Sequence, residues 1–98
     1  MPRLRAHPGD LLHREFLTPL GLSGRQLAAA LGVPQNRITD LLRGKRRITA
    51  DTAHRLARYF DTTPQFWMNL QANFDLAEAE DATDYSGVPT RPMADSET

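Results

Sequence analysis

Apolar residues along this chain recur at helical spacing, and turn and cap residues divide them into five short segments. The first has Pro8 in its opening turn and carries Leu11, Leu12, Phe16 and Leu17, with Pro19 and Gly21 predicted to stop it. The second opens with Ser23 and Gln26 at capping-box spacing, and Leu22 and Leu27 are placed to close a hydrophobic staple. Its inward face is Leu27, Ala28 and Leu31, and Gly32 ends it. The third begins near Pro34 and buries Ile38, Leu41 and Leu42 until Gly44. Thr49 caps the fourth, whose Ala53, Leu56, Ala57 and Phe60 stand at offsets 0, 3, 4 and 7. The fifth starts at Thr63-Pro64 and runs through Trp67, Leu70 and Phe74 to about Glu80. No alternating run of β-branched residues suggests a strand, so the expected fold is all-α, a bundle of five helices.

The pattern fades at both ends. Residues 1–6 are expected to be a flexible N-terminus and 7–80 the folded domain. From Asp81 to Thr98 the chain has two prolines, several Asp, Ser and Thr, and almost no large aliphatic residue. Such a stretch buries too little surface to offset its ordering entropy, and a disordered acidic tail is expected. It either folds on a partner or merely solvates the domain.

Composition removes whole classes. The 98 residues include no cysteine, which excludes a disulfide framework and any thiolate site. No apolar run approaches the roughly eighteen residues that a membrane span needs. Met1-Pro2-Arg3-Leu4-Arg5 is basic like a signal n-region, but no apolar segment follows it. The expectation is a cytoplasmic protein with no membrane partner.

The formal net charge is zero, yet the charges are segregated. Residues 1–58 hold eleven bases against four acids, and residues 59–98 hold Arg91 alone against eight acids. Between residues 25 and 58 there are eight bases and two acids. Asymmetry of this kind points to a polyanion for the first half and a different partner, or none, for the second.

The second and third helices supply a reason for the positive half. Leu27-Ala28, Gly32-Val33, Ile38 and Leu41 have the spacing of a helix-turn-helix. Two helices crossing steeply through a short turn need a small residue at the crossing and a turn residue that tolerates positive φ. Ala28 and Gly32 meet those needs, while Ile38 and Leu41 face the first helix. An ordinary helical hairpin shares parts of this pattern; the basic loop Lys45-Arg46-Arg47 directly after it favours nucleic acid. At about 100° per residue, Asn36, Asp40 and Arg43 lie opposite Ile38, flanked by Arg37 and Thr39, with Gln35 at the N-terminal end. Gln and Asn pair bidentately with adenine, and Arg with guanine. Asp40 is expected to accept from a cytosine amino group or to orient Arg37 or Arg43. Arg25 and the loop bases are expected to reach phosphates.

Several separate motifs resemble one known family. They are His7-Pro8-Gly9, the segment from Phe16-Leu17 through Pro19-Leu20-Gly21-Leu22-Ser23, the segment from Gly44 to Ala53, and Phe66-Trp67-x-Asn69-Leu70-Gln71. Over roughly residues 7–80 the chain is similar to the HigA/VapI branch of XRE-type helix-turn-helix proteins. The resemblance implies a five-helix, lambda-repressor-like DNA-binding fold. It also implies the antitoxin of a bacterial type II toxin–antitoxin pair, which neutralises a HigB toxin, a RelE-like ribosome-dependent mRNA endonuclease. Such antitoxins repress their own operon as dimers. The family's recognition helix falls on Pro34 to Arg43, with Gln35, Asn36, Arg37 and Thr39 at base- and phosphate-reading positions, and Lys45 to Arg47 matches its backbone-contact segment. Relatives often carry Gln at the position of Gly24, so one DNA contact is absent here.

The resemblance further suggests that the last helix contributes to dimerisation, which makes Trp67, Leu70, Phe74 and Leu76 the expected interface residues. A two-fold dimer carries two recognition helices about one DNA turn apart and calls for a palindromic double-stranded operator. Against an enzyme, His7, His13 and His54 are scattered, with no catalytic order and no i, i+4 metal pair. No cofactor and no metal are expected. A stand-alone repressor without a toxin stays open, as does an interaction module whose acidic residues Asp75, Glu78, Glu80, Asp81 and Asp84 meet a basic toxin.

Overall fold

His7 starts the first helix: its Nδ1 accepts from the Gly9 N–H at 3.0 Å, and Pro8 follows in the first turn. In the computed structural model, which describes residues 6–92, this helix (α1, residues 8–20) has three parts. Pro8–Leu12 is α-helical, His13–Leu17 is a π-turn, and Thr18–Leu20 is a last short α-turn. Pro19 therefore lies inside the helix and does not stop it. The Thr18 N–H reaches back five residues to the His13 carbonyl. A proline ring crowds the carbonyl four residues back in a regular α-helix, and a wider turn just before it relieves that crowding. Gly21, at φ 65°, then ends the helix.

The remaining helices start where their caps predict. In α2 (Gly24–Leu31), Ser23 Oγ accepts from the Gln26 N–H at 3.0 Å and Gln26 Oε1 accepts from the Ser23 N–H at 2.8 Å. Two first-turn donors are satisfied reciprocally, a contribution of about 1 kcal/mol for the serine cap. Gly32, at φ 71°, turns the chain into α3 (Gln35–Leu42). Thr49 caps α4 (Ala50–Phe60), and Thr63 caps α5 (Pro64–Ala82) by accepting from the Phe66 N–H at 3.1 Å. No strand occurs among the described residues.

The C-terminal helix outlasts its expected end, so Asp81 and Ala82 belong to α5. Beyond it, Asp84 Oδ1 accepts from the Ser86 N–H at 3.0 Å and opens a 3-10 turn, Tyr85–Gly87. The stretch expected to be disordered thus begins as helix and contains one hydrogen-bonded turn, with residues 83–92 exposed. Met1 to Arg5, and the end of the tail at 93–98, lie outside the described residues.

One core joins all five helices, with Leu12, Leu27, Ile38, Leu41, Leu56 and Trp67 fully buried in it. Each such large side chain contributes roughly 1.5–3 kcal/mol relative to exposure. Trp67 stands 4.9 Å from the Phe16 ring, and its indole N–H donates to Thr62 Oγ1 at 2.7 Å. This corrects the expectation that Trp67 lies at a dimer interface: it has no surface left to offer a partner. Leu70 packs on the same core, and Phe74 meets the edge of His7 at 4.9 Å. Leu76 is 68% exposed. Where α1 crosses α3, a Cβ on Gly9 would stand 1.8 Å from the Leu41 carbonyl oxygen, so this crossing requires glycine.

Candidate nucleic-acid interface

The turn that the sequence marks does join α2 to α3. Ala28 is buried, the Val33 N–H donates to the Ala28 carbonyl at 3.1 Å, and Ile38 and Leu41 are buried beneath the outward face of α3. That face begins with Gln35 and Asn36, both exposed, in a first turn that no side chain caps. Arg37 and Thr39 are half-buried, and Arg43 is exposed at the helix end. Lys45, Arg46 and Arg47 are exposed in the loop that follows, and Arg25 is exposed in the first turn of α2. Gly24 faces α3, where a Cβ would come within 2.8 Å of Leu42 Cδ1 and 3.8 Å of Thr39 Cγ2. A notch beside this contact is lined by Asp10, His13, Gly24, Thr39, Leu42 and Arg43.

Ion pairs sort these bases more finely than spacing along the chain does. Arg37 Nη1 donates to Asp51 Oδ2, on the first turn of α4. Arg55 Nε donates to the same oxygen at 2.9 Å, and Arg55 Nη1 donates to the Leu31 carbonyl at 2.8 Å. The two guanidiniums, Arg37 foremost, hold the Asp51 carboxyl below the usual carboxylate range. Asp40 does not orient Arg37 or Arg43; its carboxylate lies 3.9 Å from Arg46, because the loop folds back over that side of α3. Arg47 pairs with Asp75 of α5 at 2.8 Å.

Behind that pair lies a residue whose role the periodicity hides. Gln71 is buried, accepts from the Ile48 N–H at 2.7 Å through Oε1, and donates through Nε2 to Asp75 Oδ1 at 2.9 Å. It ties the end of the basic loop to α5. A polar residue in register with Trp67, Leu70 and Phe74 was the available signal, since a buried amide needs partners. Asp51 carried a weaker one, its i, i+4 spacing to Arg55. His7 closes the other side of the loop, its ring carbons within 3.8 Å of where a Cβ on Gly44 would stand. Burial lowers its pKa against the opposing pull of Asp10, Asp75 and Glu78. Among the described residues, no group of three or more His, Cys, Asp or Glu could hold a metal ion.

Known proteins are similar to this chain in sequence and fold. The helix-turn-helix family pattern matches residues 14–67. Over 74 residues the chain is 51% identical to virulence-associated protein I of Dichelobacter nodosus, covering 76% of this chain and 68% of that protein. A solved structure of the Pseudomonas aeruginosa antitoxin HigA with the higBA promoter is 48% identical, with a TM-score of 0.79 over 81% of this chain and 86% of that one. The chain belongs to the HigA/VapI branch of the helix-turn-helix family. Another solved structure similar to this HigA/VapI member is the antitoxin GraA in complex with its operator. It is 40% identical, with a TM-score of 0.84 over 96% of this chain and 97% of that one. The chain spans about two thirds of the length of the Dichelobacter nodosus relative. Among the described residues, no helix is long and apolar enough to cross a membrane.

Proposed function

We propose that this protein is an antitoxin that binds and neutralises a HigB/RelE-like mRNA endonuclease toxin in the cytoplasm. As a dimer it represses its own toxin–antitoxin operon through a palindromic operator. The observation that carries the DNA-binding part is the outward face of α3, where Gln35, Asn36, Arg37, Thr39 and Arg43 adjoin the basic loop Lys45 to Arg47. Its likeness to HigA with its promoter and to GraA with its operator supports the same use of that face. Residues 7–80 are the DNA-binding domain in this reading, and the acidic stretch beyond Glu80 lies apart from it. Dimerisation falls to the exposed side of α5 around Leu76, with Phe74 at its edge.

Two measurements test the proposal. In a gel shift, the DNA upstream of the gene should be retarded and a scrambled duplex of equal length should not. Arg37→Ala should cost about 1–3 kcal/mol and relax base preference at one position. For the toxin, the neighbouring reading frame, co-expressed, should encode a basic chain that copurifies with this one and arrests growth when expressed alone. DNA binding without such a neighbour identifies a stand-alone repressor. No retardation at any salt concentration removes the DNA-binding reading.

A further inference from the structure

Arg37 stands on the recognition face, yet it is the side chain there that another helix holds. Its Nη1 donates to Asp51 Oδ2 on the first turn of α4, and its side chain keeps 30% of its surface exposed. Asp51 does not move freely. Arg55 Nε donates to it at 2.9 Å, and Arg55 Nη1 is anchored on the carbonyl of Leu31, the last residue of α2. One carboxylate therefore connects the end of α2, the outward face of α3 and the positive end of α4.

We propose that Asp51 is a positioning residue for DNA recognition, which fixes the Arg37 guanidinium of the recognition helix in one orientation toward the base edges. This rests on the DNA-binding function proposed above. A guanidinium has five N–H donors in a planar fork, and Asp51 engages Nη1, leaving donors for a base. Reading guanine takes two parallel hydrogen bonds, a geometry that a freely rotating arginine seldom presents. An exposed ion pair adds little to stability, so what the network supplies is orientation. A carboxylate near DNA also repels phosphates. Positioning and repulsion predict opposite signs when the charge is removed, and this makes the two separable.

The test measures affinity for the upstream operator, for its single-base-pair variants and for a scrambled duplex, at one salt concentration. The proteins compared are wild type, Asp51→Asn, Asp51→Glu, Arg37→Ala and the double variant Asp51→Asn/Arg37→Ala, each checked for unchanged helix content and melting temperature. Asp51→Asn should reduce the operator-to-scrambled ratio about tenfold. It should lose preference at the same base pair as Arg37→Ala, and the double variant should be no worse than Arg37→Ala alone. Asp51→Glu should restore most of the ratio. The inference is overturned if Asp51→Asn tightens operator and scrambled DNA alike, if it weakens both equally, or if its loss adds to that of Arg37→Ala. A wild type without preference for its upstream DNA overturns the DNA-binding function itself, and this is seen before any variant is compared.

Discussion

The Ile48 backbone N–H donates to Gln71 Oε1 at 2.7 Å, inside the core and 23 residues away along the chain. Loop and helix are joined there by one side chain. The other end of the amide reaches Asp75, and Asp75 in turn pairs with Arg47, the last base of the loop. The position of the basic loop thus depends on α5 as well as on α3.

Replacing Gln71 should show this in stability first. Gln71→Leu keeps the volume roughly constant but leaves a buried donor unpaired, at a cost of about 1–3 kcal/mol. The urea midpoint should fall accordingly with an unchanged slope. A midpoint within error of wild type would mean that the Ile48 N–H is satisfied elsewhere.

Trp67 and Leu76 separate folding from association. Trp67→Ala removes the centre of the aromatic cluster with Phe16 and Phe60, and should cost about 3–5 kcal/mol, a large share of the stability of a domain this size. Leu76→Glu changes an exposed position of the protomer and should leave the melting temperature of dilute, monomeric protein nearly unaltered. Sedimentation should then show a larger monomer fraction at a given concentration. A self-association unchanged by Leu76→Glu would move the dimer interface off this side of α5.

These two residues also mark the boundary of what was legible. The capping box at Ser23 and Gln26 and the caps at Thr49 and Thr63 are local, and each starts its helix where the sequence places it. The helix-turn-helix follows for the same reason, from Ala28 and Gly32 within a few residues of each other. The resemblance puts dimerisation on the last helix and so places Trp67 at a partner surface, and periodicity does not correct this, because it finds an apolar face without saying whether the chain itself covers it. Pro19 reads as a stop because a π-turn has no residue signature of its own. Helical spacing offers Asp40 to Arg37 or Arg43, whereas the carboxylate that holds Arg37 is Asp51, on the next helix. Such tertiary pairings depend on crossing geometry, which spacing along the chain does not encode.

His7 gives the fold a pH dependence whose sign is fixed. Its Nδ1 accepts a hydrogen bond from Gly9, so protonation removes the α1 cap. Burial lowers the folded-state pKa below the ordinary value of about 6.5, outweighing Asp10, Asp75 and Glu78, which pull it up. The unfolded chain therefore binds the proton more readily. The contribution is complete above about pH 6.5 and is lost as pH falls from there through the folded pKa. Melting temperatures between pH 8 and 5 should decline for wild type, and His7→Asn, which keeps a capping oxygen but does not titrate, should lack that component. Superimposable profiles would show that His7 does not contribute.

Removing the charge of Asp75 should change overall affinity, where removing that of Asp51 changes base preference. Asp75 neutralises Arg47 at 2.8 Å in a loop expected to face phosphates, so its carboxylate competes with DNA for that guanidinium. Asp75→Asn keeps an oxygen to accept from Gln71 Nε2 while releasing Arg47. A newly available phosphate contact carries no sequence information. Affinity should therefore rise by a similar factor for operator and scrambled DNA, with the ratio between them unchanged. Each phosphate neutralised steepens the dependence of log affinity on log salt by about 0.9. Wild type, at about five phosphates, should show a slope near −4 to −5, and the variant a slope steeper by up to about one. Titrations from low to moderate salt with both duplexes measure all of these quantities. Parallel slopes for wild type and Asp75→Asn would place Arg47 away from the DNA backbone and leave its pairing with Asp75 a purely structural contact between the loop and α5.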